Sequence, residues 1–549
     1  MPLNTRRRRS WLHAESFFLL AWILTLPLGT IQAQTTHQVP SDFPTLQAAI
    51  DVAQAGDTVL VAPGTYLENI SFVGKAITVR SSSGPEQTTI DGSAQTAGPN
   101  FRSVVRFLNG EGADSVLEGF TLTGGTGSLV PDPLGNMGQP HGGAVVGTGA
   151  SPTLRDCRII ANAVTGGLGN GAYFADVQGT LRMQDVVLQS NGAGTNIGAL
   201  FVIGVGATEL VNCSFLDNVS AADAAGAVLA TATVHLTDCT FRGNVSLNPG
   251  SGTGLFLGNL YFGFIPPGVV SAIIERCLFA ENLGSIGSAV VAFSASAEFL
   301  DCEFRDNTGT AVALDFASVL FDRCLFSGNS SPLTSCIVNS INVNDVSLNH
   351  CTFADNTGSR VVFAQNQTTL DCTNSVLWGN STQTSISNAD GVVDVTYSNI
   401  AGGWPGTGNI DLDPLFVDPA GGDFRLTAAS PCIDAGDPRS AFDADGSITD
   451  MGAFPYTASL FRRGDANGDG TRDIGDGIWL LLQLFHNGPE SPCSDAADAN
   501  DDGQVDVADP LFVFQHVLLN GPAFPAPSSA CGDDGTADPL DCLESTGGC

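Results

Sequence analysis

The sequence predicts an all-β fold, a right-handed parallel β-helix solenoid, followed by a small α-helical domain. The first observation is a pattern, C-x-[FI]-x-x-N, that recurs with a mean spacing of about 27 residues, a period typical of solenoids. The second is that short alternating apolar runs flank the copies, and no 3.6-residue period competes between residues 57 and 410. The third is an acidic segment that occurs twice near the C-terminus, each time before an apolar helical pattern.

Composition excludes several classes of protein. The 549 residues include 56 acidic and 21 basic side chains, which gives a net charge of -35, and Lys75 is the only lysine. This charge excludes nucleic acid and anionic membranes as default partners. A hydrophobic fraction of 43% excludes a mainly disordered chain.

The N-terminus has the pattern of an export signal. Arg6 to Arg9 form a basic stretch, residues 17–28 form an apolar stretch, and residues 31–33 provide a cleavage site. We therefore expect residues 1–33 to be a signal peptide and the protein to be secreted or held at the cell surface. No later apolar run reaches about 18 residues, so no transmembrane segment is expected after cleavage.

Each copy of the repeat implies a corner between two strands. Val234 and Leu236 alternate with polar residues, and Cys239 and Phe241 do so out of phase by one residue. A straight strand cannot bury both series, so a corner is expected at residues 237–238. A further apolar run begins each coil, which gives three short strands per coil and about 4.8 Å of height per coil.

Stacked coils place equivalent residues on one another. The Asn that ends each copy is expected at a turn, where its amide bonds the equivalent Asn above and below. The Cys and Phe of the repeat are expected to point inward. The predicted ladder consists of Asn218, Asn244, Asn282, Asn307, Asn329 and Asn356.

The 14 cysteines divide into two groups. Those of the repeat share one inward position, where in-register stacking gives poor disulfide geometry although neighbouring coils lie within reach. We expect them to be buried thiols that pack as small hydrophobic side chains. The last four lie in an acidic, loop-rich tail and are disulfide candidates with three connectivities. They are Cys493, Cys531, Cys542 and Cys549.

Residues 39–93 are expected to cap the solenoid, with one helical face that ends at Gly56 and a first coil from Asp57. The segment VPSDFPTLQAAIDVAQAGDTVLVAPGTYLENI and the closing DLDPLFVDPAGGDFRLTAASPCIDAGDP resemble the ends of bacterial secreted β-helix proteins of the pectin-lyase-like superfamily. The internal GGA and F-x-x-N signals resemble those of chlamydial polymorphic outer-membrane proteins. The resemblance covers residues 38–456 and implies a fold rather than one function. We expect a β-helix domain over residues 34–458.

Two loops near the C-terminus have the spacing of calcium ligands. They span residues 465–476 and 498–509, and each has a glycine at the sixth position, Gly470 or Gly503, where the chain must turn sharply. Residues at loop positions 1, 3, 5, 9 and 12 offer side-chain oxygens, and position 7 offers a backbone carbonyl. The predicted ligands of two calcium ions are Asp465, Asn467, Asp469, Thr471, Asp473, Asp476, Asp498, Asn500, Asp502, Gln504, Asp506 and Asp509.

Each loop leads into one predicted helix that ends at a left-handed cap, at Asn487 or Asn520. No helical pattern precedes either loop, and the twelfth position is Asp. These features resemble type I dockerins, which implies a dockerin-like domain over residues 459–549 with a protein partner. The chain departs from the family at loop positions 10 and 11, where residues 474–475 and 507–508 replace the Ser-Thr pairs of many cohesin-binding dockerins.

Signals for catalysis are sparse. The Gly-His-Gly tripeptide of polygalacturonases is missing, and a lyase would have to use an arginine as its base. His141, His235 and His350 lie in different coils, and we expect turn or rung roles for them. Glu281 and Asp306 share one phase in adjacent coils, about 5 Å apart, where they form a solvated acidic turn, a cation site or an acid/base pair.

Two insertions are candidates for ligand binding on the solenoid. One follows residue 258 and carries Tyr261, Phe262 and Phe264, whose rings are suited to stacking on sugars. The other spans residues 124–143. Loops with their own composition carry binding on repetitive scaffolds, and the alternative role of such a loop is to cover the edge of the core.

Three classes of function remain. The preferred one is an exported scaffold that recognises extracellular or surface polysaccharide and is attached or assembled through the calcium-dependent module. The alternative is a polysaccharide lyase or glycoside hydrolase of the pectin-lyase-like fold, since dockerins usually accompany carbohydrate-active enzymes. The third is a passive adhesin or envelope component.

Overall fold

The computed structural model describes residues 34–540 and 542, apart from residues 95–97, 99, 132–137, 193–196, 222–223, 248–251, 259–269, 286, 341–343, 383, 458–459 and 533–539. The predicted signal peptide therefore lies outside the described residues. The same holds for Tyr261, Phe262, Phe264 and Cys549.

The described strands stack as parallel coils, and each full coil contributes to three columns of strands. The first two columns belong to one 25-stranded sheet, because two long strands run through the corner between them. Their neighbours pair in register, for example Thr233–Thr237 with Val270–Glu275. This is the predicted architecture of short strands separated by turns.

The bounds of the strands follow the columns. The first column comprises Thr36–Val39, Thr58–Val61, Thr78–Ser81, Val116–Glu118, Thr153–Ile160, Thr180–Gln189, Ala207–Val211, Thr233–Thr237, Val270–Glu275, Ala295–Leu300, Ser318–Asp322, Asp345–Asn349, Thr369–Thr373 and Val392–Thr396. The second comprises Gly64–Tyr66, Thr88–Asp91, Thr121–Thr123, the ends of the two long strands, Ser214–Leu216, Thr240–Arg242, Leu278–Ala280, Glu303–Arg305, Leu325–Ser327, Thr352–Ala354, Val376–Trp378 and Asn399–Ile400. The third, a 12-stranded sheet, comprises Ile70–Ser71, Val105–Phe107, Val145–Thr148, Ala172–Val177, Leu200–Gly204, Ala227–Ala230, Leu255–Gly258, Val290–Phe293, Val312–Asp315, Ser330–Ser340, Thr357–Ala364 and Thr384–Asn388.

The interior is built from the repeated Cys and Phe side chains, as predicted. Phe304 stacks on Phe326 with ring centroids 4.4 Å apart, and Phe326 stacks on Phe353 at 4.6 Å. The thiols described in the solenoid are buried and unpaired, which confirms the prediction for these cysteines. The predicted corner is confirmed by Asp238, whose φ of 55° turns the chain between two strands.

The Asn ladder is also confirmed and is longer than predicted. The Asn282 side-chain amide donates to Asn307 Oδ1 at 3.0 Å and to the Phe241 carbonyl at 2.9 Å, and its backbone N–H donates to Asn307 Oδ1 at 3.1 Å. The same arrangement repeats along the axis. The continuous ladder consists of Asn162, Asn191, Asn218, Asn244, Asn282, Asn307, Asn329, Asn356 and Asn380.

The residue before each ladder Asn adopts the left-handed conformation, with φ between 53° and 68°. Asp and Gly tolerate this conformation better than most residues, which accounts for their frequency there. The two types also fit each other, because a Cβ added to Gly328 would lie 2.2 Å from Asp306 Oδ1. This corner column consists of Ala161, Ser190, Asp217, Gly243, Glu281, Asp306, Gly328, Asp355 and Gly379.

The N-terminal cap differs from the prediction in one respect. The first strand, Thr36–Val39, precedes the helix and pairs with Thr58–Val61, so the first coil begins before Asp57. The helix, Leu46–Val52, buries Leu46, Ala49 and Ile50 as expected. The lysine Nζ donates to two carbonyls at the end of this helix, those of Ile50 and Asp51, at 2.7 Å each.

The insertion at residues 124–143 covers the outer face of the 12-stranded sheet. Its strands, Gly127–Leu129 and Pro140–His141, form a small antiparallel sheet with Phe101–Arg102. His141 is buried, stacks on Tyr173 at 4.7 Å, and accepts a hydrogen bond from the Leu168 backbone through Nδ1. This confirms the covering role that was the alternative to ligand binding.

The closing segment after residue 410 folds against the outside of the last coils. The two strands of its hairpin, Phe416–Asp418 and Asp423–Leu426, are joined by a 3₁₀ turn at Pro419–Gly421. Phe424 packs with Leu325 and Ala354 in a buried cluster. Another 3₁₀ turn lies at Gly92–Ala94, and a two-stranded ladder joins Val219–Ser220 to Val245–Ser246.

The C-terminal region contains the helices Ile474–His486, Ser494–Ala497 and Ala508–Leu519. The first and third are the two predicted helices, and their C-caps Asn487 and Asn520 have the left-handed conformation that was expected. The short middle helix was not predicted. A disulfide joins Cys493 to Cys542, which selects one of the three connectivities. Within the described part of the chain, every helix is too short or too polar to cross a bilayer.

Candidate functional site

The two acidic loops share one hydrogen-bond pattern. The carboxylate at position 1 accepts the backbone N–H of position 6, from Gly470 to Asp465 at 3.0 Å and from Gly503 to Asp498 at 2.7 Å. The carboxylate at position 12 accepts the N–H of position 9 at 2.8 Å and 2.7 Å. The backbone of each loop therefore wraps around its own acidic side chains, and these hydrogen bonds are the same in the two loops.

The carboxylates at positions 1 and 12 are buried. Burial raises the pKa of Asp476 to about 6 and that of Asp509 to about 7, with neighbouring aspartates adding to the effect. Asp465 Oδ1 is buried and has no hydrogen-bond partner among the described residues. A buried carboxylate oxygen without a partner is costly, and a cation would offset that cost.

The donor set fits a calcium ion. Both loops offer only hard oxygen ligands, which Ca²⁺ prefers. In the first loop, Asp465 Oδ1 has no hydrogen bond to lose on binding an ion. The middle carboxylate of the first loop, Asp469, is exposed and is held by the N–H and hydroxyl of Thr471. The calcium assignment itself stays a prediction.

The helices that follow the loops expose apolar side chains. Phe485 is 64% exposed and Leu519 75% exposed, whereas Leu480 and Val513 are buried between the helices. We call the exposed set the module's apolar face. It consists of Ile474, Ile478, Leu482, Phe485, Val507, Leu511, Leu518 and Leu519.

Glu281 and Asp306 occupy adjacent coils of the corner column, as predicted. Their backbones are in phase, but the Glu281 carboxylate forms an ion pair with Arg242 of the preceding coil at 2.7 Å. The Asp306 carboxylate instead lies over Gly328. The structure therefore brings the two residues into one column without directing their carboxylates at each other.

The other histidines have structural surroundings. His350 Nε2 lies 2.8 Å from the Thr449 hydroxyl, and its Nδ1 lies 3.5 Å from Asp322. It therefore fixes the closing segment to a coil corner. His235 is exposed on a strand of the first column.

A cavity of about 330 Å³ lies between the last coils and the closing segment. We call it the C-terminal cavity. Its floor is formed at the ends of two paired strands, where Ala354 and Trp378 are in register. The lining residues are Ala354, Asp355, Trp378, Gly379, Asp413, Leu415, Phe416, Pro419 and Phe424.

The cavity was not predicted from the sequence, although one signal for it exists. Trp378 occupies the outward position before the corner, where the other copies of the repeat have aliphatic, small, polar or charged residues. An aromatic ring at an outward position of a regular repeat marks a place where something packs or binds. The contribution of the closing segment has no comparable signal, because it depends on contacts between distant parts of the chain.

One comparison with known proteins bears on the fold. A family model described as "Right handed beta helix region" matches residues 198–400. A comparison with curated protein sequences found no match. Pectate lyase Pel9A is similar at 15% identity and a TM-score of 0.38, over 78% of this chain and 98% of that one.

Two further solved structures show the same weak similarity. The A-module of the Azotobacter vinelandii mannuronan C-5 epimerase AlgE6 is 17% identical, with a TM-score of 0.34, over 63% of this chain and 93% of that one. The tailspike gp49 of Acinetobacter baumannii bacteriophage Fri1, a capsular polysaccharide depolymerase, is 13% identical, with a TM-score of 0.28, over 67% and 62%. Such values carry no information about activity. With the parallel columns described above, the family match identifies the repetitive part of this chain as a right-handed parallel β-helix.

Proposed function

We propose that the protein is an exported scaffold whose β-helix recognises polysaccharide and whose C-terminal module is dockerin-like and binds two calcium ions for attachment or assembly. The observation that carries the proposal is the repeated loop geometry, with its buried carboxylates and the unpartnered Asp465 Oδ1. A chain that buries acids in two matching loops gains stability from a cation in each.

The ligands of each ion would be five side chains and one backbone carbonyl. In the first loop the carbonyl is that of Thr471, and in the second it is that of Gln504. When bound, calcium supplies the positive charge that the buried carboxylates lack. The two loops then hold the N-terminal ends of the two long helices in a fixed arrangement.

The module's apolar face supports a protein partner. Ile474 and Val507, 47% and 49% exposed, stand at loop position 10, where many dockerins have a hydroxyl residue. Several exposed apolar side chains on one small module are typical of interaction surfaces. We therefore propose a partner that contributes an apolar surface with a basic rim, because the module itself is acidic.

Ion pairing on the solenoid supports a scaffold rather than a lyase. Arg182, Arg242 and Arg276 each pair with a carboxylate of a neighbouring coil, at 2.7 to 3.0 Å. Each of these three arginines would have to give up its ion pair to act as a base. A glycoside hydrolase remains the second candidate, because Asp355 and Asp413 both line the C-terminal cavity and burial raises the pKa of Asp355.

Calcium binding is tested by calorimetry on the full chain without its signal peptide. We expect two ions per chain, and Asp465→Ala and Asp498→Ala should each remove one. Asp445→Ala is the control, since Asp445 is exposed and lies outside both loops. Absence of heat at millimolar calcium would refute this part of the proposal.

Polysaccharide recognition is tested by retention on immobilised neutral, amino-sugar and uronate glycans, with an assay for new chain ends. A scaffold retains at least one glycan and leaves its chain length unchanged. Turnover that Asp355→Asn abolishes would establish the hydrolase instead. If the protein neither retains nor cleaves any glycan, both the scaffold and the hydrolase proposals are refuted.

A further inference from the structure

The C-terminal cavity has apolar walls from two distant parts of the chain. Trp378 comes from the last coils, whereas Phe416 and Phe424 come from the closing hairpin, with ring centroids 5.4 Å apart in an edge-to-face arrangement. The volume of 330 Å³ lies at the lower end of the ~300–1,000 Å³ range of ligand sites. This size suits one sugar ring rather than a long stretch of polymer.

Two carboxylates lie in the same lining. Asp355 makes no hydrogen bond or ion pair with any described residue, and its carboxylate lies over Gly379, 3.3 Å from where a Cβ would stand. Asp413 Oδ1 accepts the backbone N–H of Leu415 at 3.0 Å. Among the described residues that line the cavity, none is basic. The cavity therefore offers two negatively charged hydrogen-bond acceptors and a partly exposed aromatic side chain, that of Trp378.

The rim of the cavity holds a strained residue. Leu415 has a φ of 51°, a left-handed conformation that is unfavourable for a branched side chain, and it is 39% exposed. Three hydrogen bonds hold it there: its N–H donates to the Asp413 side chain, and its carbonyl accepts from the Thr427 backbone N–H at 3.0 Å and the Thr427 hydroxyl at 2.9 Å. The chain thus maintains an unfavourable backbone at the point where an apolar side chain borders the opening.

We propose that the C-terminal cavity binds a pyranose that carries a free, protonated amino group. This inference rests on the proposed function, recognition of polysaccharide by the solenoid, and assigns it a place and a class of sugar. The ring would stack on Trp378, as aromatic side chains do on apolar faces, and the ammonium group would lie between Asp355 and Asp413. Aromatic surfaces also attract cations directly.

Charge excludes the competing sugars. A uronate would bring a third carboxylate into a cavity whose lining already has two, and like charges in one cavity repel. An N-acetylated sugar has the same ring but no cation, so it leaves Asp355 without a counter-charge. The net charge of -35 favours a cationic polymer over long range as well.

The test compares two matched probes, a tetramer of 2-amino-2-deoxyglucose and the same tetramer with every amino group acetylated. Calorimetry on the full chain is carried out at about pH 6, where an amine with a pKa near ~8 is protonated. We expect the free amine to bind at least tenfold more tightly, with an affinity that falls as salt increases. Equal affinity for the two probes would overturn the proposal.

Variants locate the binding. Asp355→Asn preserves shape and left-handed preference, and it should lower the affinity for the amine tetramer at least tenfold, as should Trp378→Ala. Asp217→Asn is the matched control, since Asp217 has the same corner position and also lies over a glycine but does not line the cavity. Unchanged binding in Asp355→Asn would overturn the assignment even if Trp378→Ala failed to fold.

The retention assay separates this inference from the proposed function. If the protein retains a neutral or uronate glycan but not the amine tetramer, polysaccharide recognition stands and the cavity assignment is wrong. If nothing is retained, both are wrong. Retention of the amine polymer that Asp355→Asn abolishes supports both.

Discussion

The Asn ladder of the solenoid and the C-terminal module treat buried polar groups in opposite ways. In the ladder, each Asn except the last hydrogen-bonds the equivalent Asn of the next coil, so the repeat supplies its own partners. In the module, Asp465 Oδ1 is buried without a hydrogen-bond partner among the described residues. The ladder is satisfied within the chain, whereas the first loop of the module would gain from a partner outside the chain.

Two aspartates make the contrast specific. Asp57, in the N-terminal cap, accepts backbone N–H groups of Gln54 and Thr35 at 2.8 Å and 2.9 Å, and lies 3.0 Å from His37 Nε2. These contacts, led by the Gln54 N–H, hold its pKa at about 2. Burial instead raises the pKa of Asp465. Both side chains are almost fully buried, so the partners decide the sign of the shift.

The largest effect is expected in the ladder. Asn282→Ala would remove the acceptor of the Asn244 backbone N–H, one of the two acceptors of the Asn244 side-chain amide, and the amide that donates to the Phe241 carbonyl. We expect the free energy of unfolding to fall by about 3–5 kcal/mol, because each unsatisfied buried group costs about 1–3 kcal/mol. Guanidinium unfolding followed by circular dichroism measures the loss.

An exposed Asn provides the control for this prediction. Asn388 also accepts two backbone N–H groups, those of Asp390 and Gly391, but water replaces it readily. Asn388→Ala should cost less than about 1 kcal/mol. Equal losses in the two variants would mean that stacking in the interior adds nothing to the ladder.

The second effect is pH-dependent and concerns the cap. Because the folded pKa of Asp57 is about 2, below its ordinary 3.8, its stabilisation is present above about pH 4 and is lost as the pH falls towards 2. Asp57→Asn should lower stability by about 1.5–3 kcal/mol at neutral pH, the usual worth of a charged hydrogen-bond acceptor. It should also reduce the fall in melting temperature between about pH 4 and pH 2, which we call the acid limb.

The exposed Asp51 of the same cap provides the comparison. Asp51→Asn should leave both the neutral stability and the acid limb close to those of the parent. If the melting temperature of Asp57→Asn also depends on pH as that of the parent does, the stabilisation of the Asp57 carboxylate by hydrogen bonds within the cap would be wrong.

The smallest effect changes sign with calcium. In metal-free protein, Asp465→Asn removes a negative charge whose burial costs more than its neighbours return, so the module should gain about 1 kcal/mol. With millimolar calcium the same variant should be less stable than the parent, because a proposed ligand is weakened. Differential scanning calorimetry with calcium and with chelator measures both. If Asp465→Asn changed the stability in the same direction with calcium and with chelator, the first loop would not depend on an ion, and its contrast with the Asn ladder would be wrong.

The repeat made most of the solenoid predictable. A corner at Asp238, an inward Phe column and the Asn ladder follow from phase and period, because every coil meets a copy of itself. Phase alone could not predict side-chain direction, as Glu281 shows by pairing with Arg242 instead of facing Asp306. The first strand, Thr36–Val39, was missed because the cap helix separates it from the coils it joins.

The C-terminal cavity was out of reach for a different reason. Its Trp378 lies in the repeat, but Asp413 and Phe416 come from a segment that has no period and folds back over the last coils. The helices of the module were predictable from apolar spacing. The exposure of further apolar side chains on these helices was not predictable. A helical pattern shows which residues are apolar, but it does not show which of them another part of the protein covers.

The Asn ladder has a consequence for how such a molecule changes length. Each ladder bond has the same form, so removing residues 302–323 would carry Asn282 onto Asn329 with no new kind of contact. Recombination between copies could therefore shorten or lengthen the rod in steps of about 4.8 Å while both ends keep their own structure. The number of coils would then set the distance between the C-terminal cavity and the N-terminal cap.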